Sequence, residues 1–276
     1  MKLPGRESRA GPIGKDGLIL VGILIGILGC GPGVAPVTTV PETITPQSRF
    51  PGDLARSLSQ RADRFRSLRA LAKVRYWSKE EKGAFQEAVL IHRPDRMRLE
   101  TFSPLGALLI VTVDANEVTG YHLRQGLFYR GRNSKENLLR YTRIPLELKE
   151  ITALLLGLPP VELRGRWKRE GNTLYRENKT GGSEAVTFHP TLNIPILWER
   201  SDPESELELN ASFSDFYSTP AGAFPLKIAL EASNDEERRY EILYQEPEVN
   251  VSLPASLFAQ KKPDHVKELP LESLGG

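Results

Sequence analysis

Three patterns of apolar residues succeed one another along this 276-residue chain. The first is an unbroken run, Gly17 to Gly29, directly before Cys30. Next, Leu54, Leu58, Ala62, Phe65 and Leu68 fall at helical spacing, interrupted by Arg61. This predicts a surface helix over 53–68 with Asp53 as its N-cap. Then the period drops to two. Ala70, Val74 and Tyr76 alternate with Lys73 and Arg75; Phe85, Val89 and Ile91 with Gln86 and His92; Met97 and Leu99 with Arg96, Arg98 and Glu100. Such alternation predicts half-buried antiparallel strands, with breaks expected at Gly83 and at Pro94-Asp95.

Leu108 to Val113 is apolar on both faces, so that strand is covered on both sides or meets lipid. Val118–Leu123 and Leu127–Arg130 predict a hairpin around Arg124-Gln125-Gly126. Leu146, Ile151, Leu154, Leu155 and Leu158 predict a short apolar helix, stopped by Gly157 and Pro159-Pro160. Strands resume at Thr173–Glu177, Ala185–His189, Pro195–Arg200, Glu206–Tyr217, Leu226–Ala232 and Arg239–Gln245. Residues 251–276 carry Pro254, Pro263 and Pro270 with little periodicity and read as a C-terminal tail. Many strands joined by short turns predict a mainly β fold with a few helices, an antiparallel sheet curling toward a barrel over residues 53–250.

Composition changes this picture at the N-terminus. Lys2, Arg6, Arg9 and Lys15 precede the apolar run, giving the order of a secretory signal peptide over residues 1–29. The run is short for a membrane span, which needs about 20 apolar residues. Ile27-Leu28-Gly29-Cys30 resembles a bacterial lipobox, which makes Cys30 the lipid anchor; an uncleaved N-terminal anchor helix is the rival reading. Gly31 rather than Asp after the cysteine favours an outer-membrane, periplasm-facing location. Residues 30–52 are rich in Pro and Thr and read as an extended tether. The chain has 37 Lys+Arg and 35 Asp+Glu; the leader takes four and two of these, leaving 33 of each. A neutral mature chain gives no support for nucleic-acid binding, which wants a concentrated positive patch.

Catalytic chemistry finds little support. His92, His122, His189 and His265 are scattered without metal-site spacing, and no nucleophile elbow or phosphate loop is present. Asp63 and Glu87 form an acid/base pair only in the sense that any carboxylate-rich chain offers one. The chain reads as a non-enzyme without cofactor or metal. Ser103-Pro104-Leu105-Gly106 stands out instead: Ser, Pro and Gly suit a type I turn, and Leu105 lies at its tip. An apolar tip either folds back on Phe102 or Leu108 or meets an apolar partner.

Around that turn the chain resembles the LolB family of outer-membrane lipoprotein receptors and, more broadly, the LolA/LolB fold. The resemblance runs through Arg96-Met-Arg-Leu-Glu-Thr-Phe-Ser-Pro-Leu-Gly106 and Ile151-Thr-Ala-Leu-Leu-Leu-Gly-Leu-Pro159, within residues 55–245. It implies a half-open antiparallel β-barrel with helices covering an apolar concave face that holds acyl chains. Leu105, flanked by Pro104 and Gly106, matches the protruding leucine that contacts membrane or cargo in that family. The implied partners are acylated lipoproteins or lipids, a periplasmic LolA-like carrier, and the outer membrane. Val74, Tyr76, Val89, Ile91, Met97 and Leu99 are the candidate cavity residues, taken from the apolar side of their strands; an ordinary sealed core fits them equally. A lipid-sensing or scaffold lipoprotein on the same fold is the alternative function.

Overall fold

The computed structural model describes residues 51–104, 106–162, 164, 166–177, 181–233 and 237–274. The leader, Cys30, almost all of the tether and Leu105 lie outside the described residues.

Helix α1 (Pro51–Arg64) opens the described chain, two strand meanders follow, and two short helices separate them. The first meander runs β1 (Ser67–Trp77), β2 (Lys82–His92), β3 (Arg96–Ser103), β4 (Gly106–Val113), β5 (Glu117–His122) and β6 (Leu127–Arg132). Helices α2 (Lys135–Thr142) and α3 (Leu148–Leu155) come next. The second meander is β7 (Lys168–Glu170), β8 (Thr173–Glu177), β9 (Ser183–Phe188), β10 (Pro195–Asp202), β11 (Leu207–Thr219), β12 (Gly222–Ser233) and β13 (Glu237–Val249). Strand β14 (Lys267–Pro270) ends the list.

All fourteen strands join one open sheet in the order β14-β6-β5-β4-β3-β2-β1-β13-β12-β11-β10-β9-β8-β7. Hairpin neighbours build each half, and the β1–β13 pairing, Val74 opposite Ile242, welds the halves together. Every pairing is antiparallel except β14 on β6. The architecture is thus mainly β, as expected from the alternation, and an unclosed sheet with helices against one side, as the resemblance implied.

Several boundaries differ from the sequence reading, each for a local reason. Helix α1 stops at Arg64 because Asn250 takes over the chain there: its amide accepts from the Arg66 N–H at 2.9 Å and donates to the Arg64 carbonyl at 2.6 Å. Phe65 and Leu68 still reach the core, but from the connection and from β1. Arg61 does not break the buried face. It is itself 7% exposed, its guanidinium stacked 4.4 Å over the Phe65 ring, and burial beside Arg64 lowers its pKa to about 10.

Gly83 is no break either. It lies inside β2, opposite Tyr76, where a Cβ would stand 2.7 Å from the tyrosine ring. The β1–β2 turn is closed by Ser78 N–H donating to the Glu81 carbonyl at 2.8 Å.

The stretch 251–276, read as a tail, is the largest departure. It crosses the convex side of the first meander: Arg98 donates to the Leu257 carbonyl at 3.2 Å and Thr119 to Gln260 at 3.2 Å. Strand β14 then pairs with β6, and Asn137 on α2 donates to Glu272 at 2.9 Å. Phe258, Val266 and Leu271 are buried, and on the strand beneath so is Phe128. On the outer face of β4 this covering reaches Thr112, which bonds Thr119 and is buried, while Leu108 and Ile110 on that face stay half-buried. Prolines at 254, 263 and 270 sit between or at the ends of the short elements, where a missing N–H costs nothing.

Candidate functional site

On the concave side, α3 lies across the sheet and is pinned at three places. Thr152 donates to the Pro94 carbonyl at 3.1 Å, Tyr244 of β13 donates to the Leu155 carbonyl at 2.8 Å, and Arg200 of β10 reaches Glu150 at 2.7 Å. The helix begins with a reciprocal cap, Glu147 and Glu150 each bonding the other's backbone N–H. Helix α1 fills the concavity beside it: Arg93 donates to the Ala62 and Phe65 carbonyls, and Phe65 packs 6.1 Å from Phe224. Between them the two helices seal one end of the concave face.

The other end is hollow. A cavity of about 590 Å³ lies between β1, β2, β3 and β13 on one side and α3 with the α2–α3 connection on the other. That is within the range of roughly 300–1,000 Å³ typical of small-ligand sites. Its walls are Val74, Phe85, Leu99, Ile144, Leu155 and Ile242, and it opens beside Trp77 and the 78–81 turn. Two glycines let aromatic rings lie close to the sheet here. Gly83 accepts Tyr76, and Gly120 accepts Tyr141, whose hydroxyl would stand 1.9 Å from a Cβ at that position.

Of the six expected cavity residues, Val74, Tyr76 and Leu99 line this hollow. Val89, Ile91 and Met97 do not: they are 1%, 0% and 0% exposed in the sealed core. The strand pattern tells which side faces inward, but only helix placement decides which stretch of that side stays open. Pro104 and Gly106 are exposed, and Ser103 Oγ donates to the Gly106 carbonyl at 3.2 Å across the β3–β4 turn.

Glu87 also lines the cavity. Thr101, directly across on β3, donates to its Oε1 at 3.2 Å. Burial pushes the carboxyl up from 4.5 to about 7, with the Thr101 bond pulling the other way. Asp63, its imagined partner, is exposed beside Arg66 and Asn250, in a separate depression. Because the folded-state pKa is raised, the stability Glu87 contributes is complete below pH 4.5 and is lost as pH rises through about 7. Glu87→Gln should therefore match the wild type at pH 4 and exceed it at pH 8.5 by up to about 3 kcal/mol. Urea midpoints at the two pH values measure this; an equal difference at both would refute it.

The four histidines stay apart in role. His122 packs 5.2 Å from the Tyr129 ring, with burial lowering its pKa, and His265 is exposed on the segment before β14. Among the described residues no cluster of three His, Cys, Asp or Glu side chains could hold a metal.

No family model and no curated protein matches the chain. Solved structures do. A DUF1329 family protein from Desulfovibrio piger is 12% identical with a TM-score of 0.55, over 75% of this chain and 95% of that one. A proposed outer membrane lipoprotein-sorting protein domain from Vibrio parahaemolyticus is 11% identical with a TM-score of 0.53, over 75% and 94%. The fold is shared with both. A LolA superfamily protein from Nitrosomonas europaea aligns more loosely, at 13% identity and a TM-score of 0.48 over 75% and 97%. The half-open sheet with helices in its hollow, expected from the resemblance, is thus a fold found elsewhere among bacterial proteins. At such identities the likeness extends to architecture and no further.

A second depression, about 860 Å³, lies between α1, α3 and β8–β10, and its lining mixes apolar side chains such as Leu58, Ala153 and Val161 with charged ones. Glu184 anchors it, accepting from Arg176, Arg200 and the Trp198 indole. Sequence reading did not single out Glu184, and it named Glu87 only as a chance pair with Asp63. Each is a carboxylate on the inward side of a strand, where a charge demands a partner, and that parity was the available signal.

Proposed function

We propose that this chain shelters the apolar chain of an acylated lipoprotein or lipid and passes it to the outer membrane, as a LolB-like receptor anchored through Cys30. The observation that carries the reading is the open end of the concave face: apolar side chains surround an unfilled volume that the adjoining helices leave uncovered. Each methylene withdrawn from water contributes about 0.8 kcal/mol, so a long acyl chain gains on the order of 10 kcal/mol by entering. No nucleotide is required, because moving from one apolar groove to another keeps that burial throughout. The V. parahaemolyticus protein, described as lipoprotein-sorting, lends support through the common fold. The turn between β3 and β4, where Pro104 and Gly106 are exposed, is the contact with membrane or cargo, made through Leu105. A LolA-like carrier is the expected donor.

Uptake of a neutral, polarity-sensitive dye tests the sheltering step. Leu99→Trp and Ile144→Trp, which add bulk to opposite walls, should each weaken uptake at least tenfold while the circular dichroism stays native. Unchanged uptake in both folded variants would remove the cavity from the reading. Leu105→Glu should keep dye uptake but abolish transfer of a bound acylated peptide to vesicles; a scaffold protein would show neither effect.

A further inference from the structure

Glu87 does not suit a cavity that merely stores hydrocarbon. Charged side chains at the mouth, Lys79, Glu80, Glu81, Arg143 and Arg238, lie on the 78–81 turn and at the ends of α2 and β13. Glu87 sits roughly 20 Å further along its strand from that turn. Thr101 is its sole hydrogen-bond donor among the described residues, and no cationic side chain pairs with it. The other titratable groups near it are tyrosines. Tyr244 on β13 has its hydroxyl committed to Leu155, and burial raises the pKa of Tyr141, Tyr240 and Tyr244, which keeps them neutral. Tyr76 lies over Gly83, nearer the mouth. One carboxylate oxygen is therefore left in the part-buried wall of the cavity without a protein donor. The inward carboxylate of β9 is treated differently: Glu184 has three donor side chains. An acceptor that the protein leaves unpaired is better held by a ligand that brings the donor than by one that brings another acceptor.

We propose that Glu87 reads the polar part of the amphiphile: it accepts a hydrogen bond from an N–H donor, ammonium or amide, and turns away a carboxylate head. This rests on the cavity being the binding site and narrows what the site selects. An apolar cavity alone would rank ligands by chain length. With Glu87 in its wall, ligands of one chain length separate by the charge and donors of their heads.

The test uses the full chain at pH 8.5 with the neutral dye bound, displaced in turn by dodecylamine, N-dodecylacetamide and dodecanoate. The expected order is amine, then amide, then carboxylate, with at least tenfold between the first and last. Glu87→Gln should bring the three within about threefold, chiefly by strengthening dodecanoate. Equal displacement by amine and carboxylate in the wild type overturns the proposal, as does an amine preference that the Gln variant keeps. Failure of the dye itself to enter overturns the sheltering reading instead, so the two failures are distinct.

Discussion

A chain ending at Asn250 is expected to lose cooperative unfolding and to aggregate, although its proline-rich remainder carries no periodic signal. Residues beyond that point bury Leu253, Phe258, Val266 and Leu271, at 8%, 4%, 5% and 0% exposure. Each such side chain contributes about 1.5–3 kcal/mol, so together they supply on the order of 6–12 kcal/mol. A typical domain has only about 5–15 kcal/mol in total. The truncation would also bare Phe128 and the free edge of β6, which β14 covers. An unpaired edge next to an apolar face is a template for association. Phe258→Ala and Leu271→Ala in the whole chain should each cost about 3–5 and 2–5 kcal/mol. Equilibrium denaturation measures both, and a truncated chain that melts at the wild-type midpoint would contradict the account.

Glu184→Ala should be the most damaging single substitution in the second meander. Its carboxylate accepts from Arg176 Nη2 at 2.6 Å and Nε at 3.0 Å, from Arg200 Nη2 at 3.1 Å and Nε at 3.3 Å, and from Trp198 Nε1 at 3.1 Å. The Trp198 ring is 0% exposed, so its N–H finds no water when the acceptor goes. The Arg200 guanidinium, held 4.8 Å over that ring, keeps only Glu150 and the Pro160 carbonyl. Removing one partner from a buried ionic network costs about 3–5 kcal/mol, far more than the pair is worth against an apolar replacement. Glu162→Ala is the control. Its contact with Lys149 is exposed and 3.8 Å long, so its loss should cost less than about 1 kcal/mol. Unfolding midpoints of the two variants that fall together would sink this argument.

Both predictions concern features that the chain's local patterns do not advertise, and the reason is physical. Alternation of apolar and polar residues is a local quantity. It marked Thr173–Glu177 as a strand with its bounds as observed, and it marked the β5–β6 hairpin and the short apolar helix that ends before Gly157. It also marked which side of β1, β2 and β3 turns inward, since side chains on a strand must alternate. The sequence by itself therefore determined the class of fold, the meanders and the inward faces.

Only the tertiary structure decided how those faces are used. Pairing of β1 with β13 joins residues about 170 positions apart, and no window of sequence carries that register. Helices α1 and α3 press on Val89, Ile91 and Met97 but leave Val74, Tyr76 and Leu99 beside a void, although all six have the same strand parity. Glu87 and Glu184 look alike in sequence. One acquires two arginines and an indole from the strands on either side of it, β8 and β10, the other a single threonine from β3, and that difference separates a structural anchor from a candidate ligand contact. Periodicity fixes the direction in which a side chain points; what meets it there depends on the register of the neighbouring strands and on where the helices settle, so it emerges only on folding.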